Sequence, residues 1–452
     1  MPSLQLIFQI IAGLGPYFSV AILLAIFLGL FLPWGVTHPQ KWLYFYIIGL
    51  SLLPFGGNDP DEGGSLYKQI TWGLLYVLCF VSIIRSSKDT GAPKIHIPIE
   101  LFLLYGFIFI TIAWSDYKLS SFKRYVLLVG LLLIAILSSR LSMLDRSFAK
   151  IFNKPLAIFM LCGAAVAAAW PSLAFDTDGA LRAFTSHKNT WGQFTLLCSI
   201  LFFNNILARD NRKLYLPLLA ASLVMLYMSK SATSMLAFAF CALLAYGFSS
   251  KNVAGKFIVL MSVLASAVAV LVYSVLHGAL PFDSLIELVY KTTDKSSTLT
   301  GRTQLWQLMD AEIARHPWLG TGFGGFWVGQ DGPSGAVGRR LDWGPPTQAH
   351  SGYIDGLNEI GAVGMVLYAI VMLCHIYRCF GLYEAGMKVH FLLHFSLIVG
   401  FLTNNYAESS LIQGTNMWWI ITTCSIIEVY NRLRLHKSTQ AKPPAARSGL
   451  QF

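Results

Sequence analysis

Residues 123–139 read KRYVLLVGLLLIAILSS, two cations followed by an uncharged apolar run of the kind that crosses a bilayer. Such runs recur. They centre on 17–35, 41–56, 68–85, 97–114, 123–139, 153–170, 191–208, 214–229, 232–249 and 256–276. After a long polar interval, further runs follow at 353–376, 388–404 and 415–431. A spanning helix needs about 20 mostly apolar residues. Hydrocarbon offers no water to an open sheet's backbone groups, so helix is the element these runs must form. The pattern predicts an all-α integral membrane protein with about 12–13 transmembrane helices. Residues 1–16 stay open between a re-entrant piece and part of the first span.

The composition agrees. Of 452 residues, 55% are hydrophobic and 12% charged, with a mean hydropathy of +0.59. A soluble domain is about a quarter charged and has a limited interior, so this apolar surplus has no place in one. Soluble enzymes, nucleic-acid binders and disordered chains are excluded. The net charge of +11 (33 basic against 22 acidic) sits largely in short loops: Arg140, Arg146 and Lys150; Arg209, Arg212 and Lys213; Lys251 and Lys256. The tail adds Arg432, Arg434, Lys437, Lys442 and Arg447. That is the bias of cytoplasmic loops, so the expected partner is a lipid bilayer and no nucleic acid. None of the seven cysteines is placed for a disulfide framework. The N-terminus has no basic n-region, so a cleaved leader is not expected.

Four segments follow: a helix bundle over 1–276, a large loop over 277–350, further spans over 351–431 and a basic cytoplasmic tail over 432–452. If the basic loops are cytoplasmic, 56–67 (with Asp59, Asp61 and Glu62), 171–190 and 277–350 lie on the opposite face. The last of these carries Trp306, Trp318, Trp327 and Trp343, more often an interfacial belt than a sugar platform. A structureless loop of that length would be unusual, so it is expected to fold over the membrane and carry function. Within it, 300–316 reads as one helix, with Leu305, Trp306, Met309 and Ile313 on a face and Pro317 as the stop. Gly320-Thr-Gly-Phe-Gly-Gly325 follows as a flexible turn. It has no strand before it, so a dinucleotide fingerprint is rejected.

The candidate chemistry gathers on that same face. Arg182, His187, Lys188 and Asn189 precede the run at 191; Lys230 lies between two serines in a tight turn; Arg302 opens the loop helix; His350 precedes another run. Cations where helices begin suit an anion such as pyrophosphate, and histidine adds a group that moves a proton near neutral pH. Bland readings stand beside these. The arginines could snorkel, Lys230 could be a solvated helix end, and His350 before a capping Ser351 could be an ordinary loop histidine. Asp355 and Glu359 sit one turn apart near a helix start, which favours negative charge anyway. Asn404, Asn405 and Glu408 at a helix exit are equally open. No metal-ligand spacing and no serine-hydrolase elbow are found.

The stretches GRTQLWQLMDAEIARHPWLGTGFGGFWVGQDGPSGAV and PPTQAHSGYIDGLNEIGAVGMVLY resemble the signature of the O-antigen ligase and polymerase superfamily, nearest to ExoQ-type exopolysaccharide polymerases. RAFTSHKNTWG at 182–192 and YMSKSATSMLAF at 227–238 support the likeness, which covers about 180–370. The resemblance implies a bacterial inner-membrane glycosyltransferase of the multi-helix, lipid-donor (C) type, with the large loop periplasmic and partly helical. Its donor would be an oligosaccharide on undecaprenyl pyrophosphate at the periplasmic face. Its acceptor would be a growing glycan or lipid A core, and a flippase and a chain-length regulator could be partners. No metal, nucleotide sugar or other cofactor is implied.

By that likeness Arg302 matches an arginine that holds the pyrophosphate. His350 matches a histidine that activates the acceptor or positions the leaving group. Arg182, His187, Lys188, Asn189, Lys230, Trp306, Tyr353 and Glu359 would bind pyrophosphate or glycan. Lys230 stands where many ligases have arginine, and His350-Ser351 where the usual pair is His-Asn. Both departures favour polymerase over ligase. A secondary transporter is the rival from another class. Against it, the charges collect at one face rather than mid-depth, and no inverted repeat is evident.

Overall fold

The computed structural model describes residues 39–52, 66–87, 93–145, 147–249, 297–342 and 344–440. The runs at 17–35 and 256–276, the acidic residues of 56–65, Trp343 and the end of the tail lie outside the described residues. The helices are α1 Pro39–Leu52, α2 Leu66–Ser87, α3 Ile99–Thr111, α4 Lys118–Asp145, α5 Ala149–Ala169 and α6 Pro171–Ala174. They continue as α7 Lys188–Leu207, α8 Arg212–Met228, α9 Ala232–Ser249, α10 Ser297–Ile313 and α11 Pro333–Arg340. The last three are α12 Gly352–Glu384, α13 Lys388–Asn404 and α14 Met417–Gln440. Among the described residues the only β pairing is an isolated bridge between Phe175 and Leu181.

The protein is a multi-pass helical membrane protein. Among the described residues four helices have the length and apolarity to cross a bilayer: Lys118–Leu144, Ala149–Ala169, Ala232–Ser249 and Gly352–Glu384. Gln69–Arg85, Ile99–Trp114 and Lys388–Asn404 are apolar but shorter. Large apolar side chains stand exposed along α2 (Leu74, Val77, Leu78), α3 (Phe102, Leu103, Phe109) and α12 (Val366, Ile370, Leu373). Water would penalise such faces, whereas lipid tails accept them.

Two helices form the centre. α7 is buried from Trp191 through Phe202 and α14 from Met417 through Val429, on all sides, as expected of helices with no solvent or lipid face. α7 packs on α5, α8, α9 and α13; α14 packs on α1, α4, α12 and α13. Burying Glu428 of α14 is offset by Ser142 Oγ, which donates to its Oε1 at 2.7 Å, and by an ion pair with Arg432. All seven cysteines are free, so helix packing alone closes the bundle.

The described loop residues, 297–342 and 344–350, do fold, around a small core formed by Leu305, Met309, Phe326, Trp327, Val337 and Ala349. The glycine-rich turn is a docking element rather than a free hinge. α12 is broken at Gly361, whose φ of 62° and ψ of −175° are non-helical. The carbonyls left open before the break are filled by Thr321 N–H to Asn358 O (2.8 Å) and Gly322 N–H to Glu359 O (3.0 Å). The amides after it, Ala362 and Val363, donate to Pro317 O and Trp318 O. Buried backbone groups must be paired, and this turn pairs four of them. Glycine is required at the contact: a Cβ on Gly361 would lie 2.4 Å from Trp318 O, and one on Gly320 2.5 Å from the Glu359 carbonyl carbon.

Candidate active site

Four chain segments meet at one end of the bundle: the start of α7, the start of α10, the turn 349–352 before α12, and the connection 405–416 from α13 to α14. His187 is the N-cap of α7, its Nδ1 accepting from Asn189 N–H at 3.2 Å. Arg302, near the start of α10, donates from Nη1 to Ala407 O at 2.9 Å and from Nη2 to Glu408 Oε1 at 3.3 Å. Asn189 also donates to Glu408 Oε1, and Gln193 donates to Oε2 at 3.3 Å. Glu408 is 4% exposed and joins α7 to α10.

His350 is held in the left-handed region, at φ 55°. That conformation costs a non-glycine residue about 1–3 kcal/mol and needs surroundings that enforce it. Those surroundings are Ala349, pinned on both sides: its N–H donates to Asp355 Oδ1 (2.9 Å) and its carbonyl accepts from Trp306 Nε1 (2.8 Å). Gln348 Nε2 lies 3.2 Å from His350 Nδ1. Ser351 occupies the N-cap of α12 as the sequence predicts, but its hydroxyl makes no cap bond. The Gly352 N–H at this helix start is already taken by the carbonyls of Asn405 and Glu408.

Electrostatics tie these groups together. Desolvation, then the charges of Arg302 and His187, lower the His350 imidazole to about 4, so it is neutral at pH 7. Desolvation and the cations Lys188 and Arg302 likewise lower His187. Burial raises Glu408 to about 7 in spite of Arg302 and the amides that favour its charged form. Neutral histidines, a fixed guanidinium and a carboxyl poised near neutrality can between them bind a polyanion and relay a proton.

The other predicted residues divide. Lys188 Nζ lies 3.4 Å from Asp178 Oδ2 and 3.8 Å from Asp176 Oδ2, and Lys230 Nζ donates to Asp178 O at 2.7 Å. These two lysines thus converge on the 176–178 turn beside the Arg302 group. Arg182 Nε donates to Leu173 O at 3.2 Å and its charge reaches His187. Tyr353 donates its hydroxyl to Leu402 O at 2.7 Å, fixing α12 to α13. Glu359 faces Arg124 Nη1 at 3.9 Å, not Arg302, and Arg124 Nη2 donates to Trp327 O at 2.6 Å. Trp327 is buried and Trp318 is 70% exposed, so the tryptophans do not form one platform. Among the described residues no group of three or more His, Cys, Asp or Glu could hold a metal.

Gln193 is a member of the site that motif reading passes over, and Glu408 is one that it leaves open. The available signal was a lone carboxylate in the polar exit after an apolar run, which also fits a solvated loop.

Residues 217–369 match the family model described as O-antigen ligase. The match runs from within α8 to within α12, about a third of the chain. This supports the O-antigen ligase and polymerase superfamily, as the sequence motifs imply, and a glycosyltransferase-like function. A search of curated proteins finds no match. The matched segment contains Lys230, Arg302, Trp306, His350, Tyr353 and Glu359, while the α7 group and Glu408 fall outside it. The candidate site is therefore shared between the matched segment and the helices on either side of it.

Proposed function

We propose that this protein is a polysaccharide polymerase that transfers undecaprenyl-pyrophosphate-linked repeat units onto an acceptor saccharide at the periplasmic face of the inner membrane. The product is an exopolysaccharide of the ExoQ type. The observation that carries the reading is the joint placement of Arg302, His187 and His350 at one end of the bundle, inside and beside the segment that matches the O-antigen ligase family. In the reaction an acceptor hydroxyl attacks the anomeric carbon of the donor. The bond to pyrophosphate oxygen breaks, and the lipid pyrophosphate leaves with the electron pair. Arg302, flanked by Arg182, Lys188 and Lys230, meets the charge on the leaving group; such preorganised donors are worth about 10²–10³ in rate each. His350, neutral at pH 7, accepts or orients the hydroxyl proton. In this reading the large loop contributes Arg302 and His350 to the site, and the bundle's spanning helices hold the polyprenyl chain. No metal or cofactor enters this scheme.

A ligase that moves lipid-linked polysaccharide onto lipid A core is the second reading, favoured by the family description itself. The size profile of surface polysaccharide, free and lipid A-linked, in a strain deleted for the gene separates the two. The polymerase reading predicts loss of long chains with single repeats remaining. Long lipid-linked chains that never reach lipid A core would overturn it in favour of the ligase.

A further inference from the structure

Arg302 is a fork with both ends engaged. Nη1 is on Ala407 O and Nη2 on the neighbouring Glu408, so the guanidinium is clamped to a two-residue segment of the α13–α14 connection. Glu408 has no spare oxygen: Oε1 takes Asn189 and Arg302, and Oε2 takes Gln193. A pyrophosphate diester arriving at Arg302 places further negative charge beside that carboxylate. Two anions in a desolvated site cannot both stay ionised cheaply. Something must give.

We propose that Glu408 is a positioning residue for Arg302, holding it as a carboxylate in the empty site and releasing it to the donor's pyrophosphate by taking up one proton. The inference rests on the lipid-pyrophosphate donor proposed above. Once protonated, Glu408 keeps acceptor capacity for Asn189 and Gln193, and its O–H becomes a donor to a phosphate oxygen. Arg302 then turns its fork to the phosphate, where bidentate geometry is strongest. The proton comes from solvent, and no bond to carbon is made or broken in this step. Its affinity for a proton is already raised by burial to about 7, so one additional anion tips the balance.

The other charged groups around it are placed differently. On α10 the neighbour is Arg302 itself. At the start of α7, His187 is lowered and Lys188 is paired with Asp176 and Asp178. Before α12, His350 titrates near 4. Asp355 of α12 is raised by burial to about 6, but it is held by the Ala349 N–H beside Ser409 and makes no bond to Arg302, and any proton it takes up would persist in Glu408→Gln.

The test uses the full chain in nanodiscs and, as probe, a pyrophosphate diester of one sugar and a short prenyl alcohol, whose phosphates do not titrate near neutrality. Calorimetry at pH 8 in buffers of different ionisation enthalpy counts the protons taken up on binding. The wild type is expected to take up close to one, with Kd weakening about tenfold per pH unit above 7. Glu408→Gln is expected to take up none and to bind with a flat pH profile. Glu408→Asp keeps a titrating group and is expected to restore uptake, which guards against a misfolded amide variant. Binding by the wild type without proton uptake, or with uptake unchanged in Glu408→Gln, overturns the role of Glu408 and leaves the donor assignment standing. No binding of the diester by the wild type at any pH overturns both.

Discussion

Lys230 separates two demands that a single alanine substitution would confuse. It follows the last turn of α8 with φ 52°, the left-handed position that closes a helix, and it also donates its ammonium to Asp178 O. Glycine at 230 meets the backbone demand and removes the charge. Lys230→Gly should fold as stably as wild type or better by up to about 1 kcal/mol, yet yield less polymer at matched expression. Lys230→Arg keeps the charge and should retain much of the activity, while Lys230→Ala should not. Equal product from the Arg and Ala variants would remove Lys230 from the site. His350 gives a pH prediction. Its folded value of about 4 lies below the ordinary 6.5. The unfolded chain therefore binds more protons between those values, and stability falls as pH drops from 6.5 toward 4. Thermal unfolding across that range should show the loss, and His350→Asn should reduce it; an identical slope in the variant would mean that other groups control it.

Among the elements, α12 carries the consequence of the site's construction. Its short first part bears Tyr353 and Asp355 next to His350, and the break at Gly361 is patched by the 317–322 turn. Gly361→Ala would press a methyl against Trp318 O from an unfavourable φ, at a cost of about 1–3 kcal/mol. We expect a lowered melting temperature together with a lowered rate, because the segment that aims His350 shifts with the turn. Wild-type values of both would show that the break is not needed. This feature was not legible in the sequence. Glycine is common in spanning helices, and GTGFGG taken alone reads as flexible. Its partner lies about forty residues further on, since Thr321 bonds Asn358 O across a separation of 37. By contrast, the helices themselves were legible. The runs at 68–85, 153–170, 191–208, 214–229, 232–249 and 388–404 reappear as α2, α5, α7, α8, α9 and α13. Each is an apolar stretch bounded by a loop, the pattern that local sequence expresses most directly. The loop helix read over 300–316 is found at Ser297–Ile313, with Leu305 and Met309 on its buried face.

Across the whole molecule, the candidate site depends on contacts that no local pattern encodes. Asn189 reaches Glu408 across 219 positions and Arg302 reaches it across 106. Motif reading found the cations because their residue types are unusual in an apolar chain. It left Glu408 among the ambiguous residues, since only the packing of α7, α10, α13 and α14 tells a buried carboxylate from a solvated one. In the function proposed, the site works as one unit at one membrane face, with a lipid-borne donor entering from the bilayer. The direct measurement is transfer by purified protein in nanodiscs given a defined undecaprenyl-pyrophosphate repeat unit and no nucleotide sugar. The account predicts a ladder of lengthened lipid-linked glycans with release of undecaprenyl pyrophosphate, reduced about 10²-fold or more by Arg302→Ala. Absence of transfer by the wild type, or an Arg302→Ala variant that makes the ladder at the wild-type rate, would contradict it.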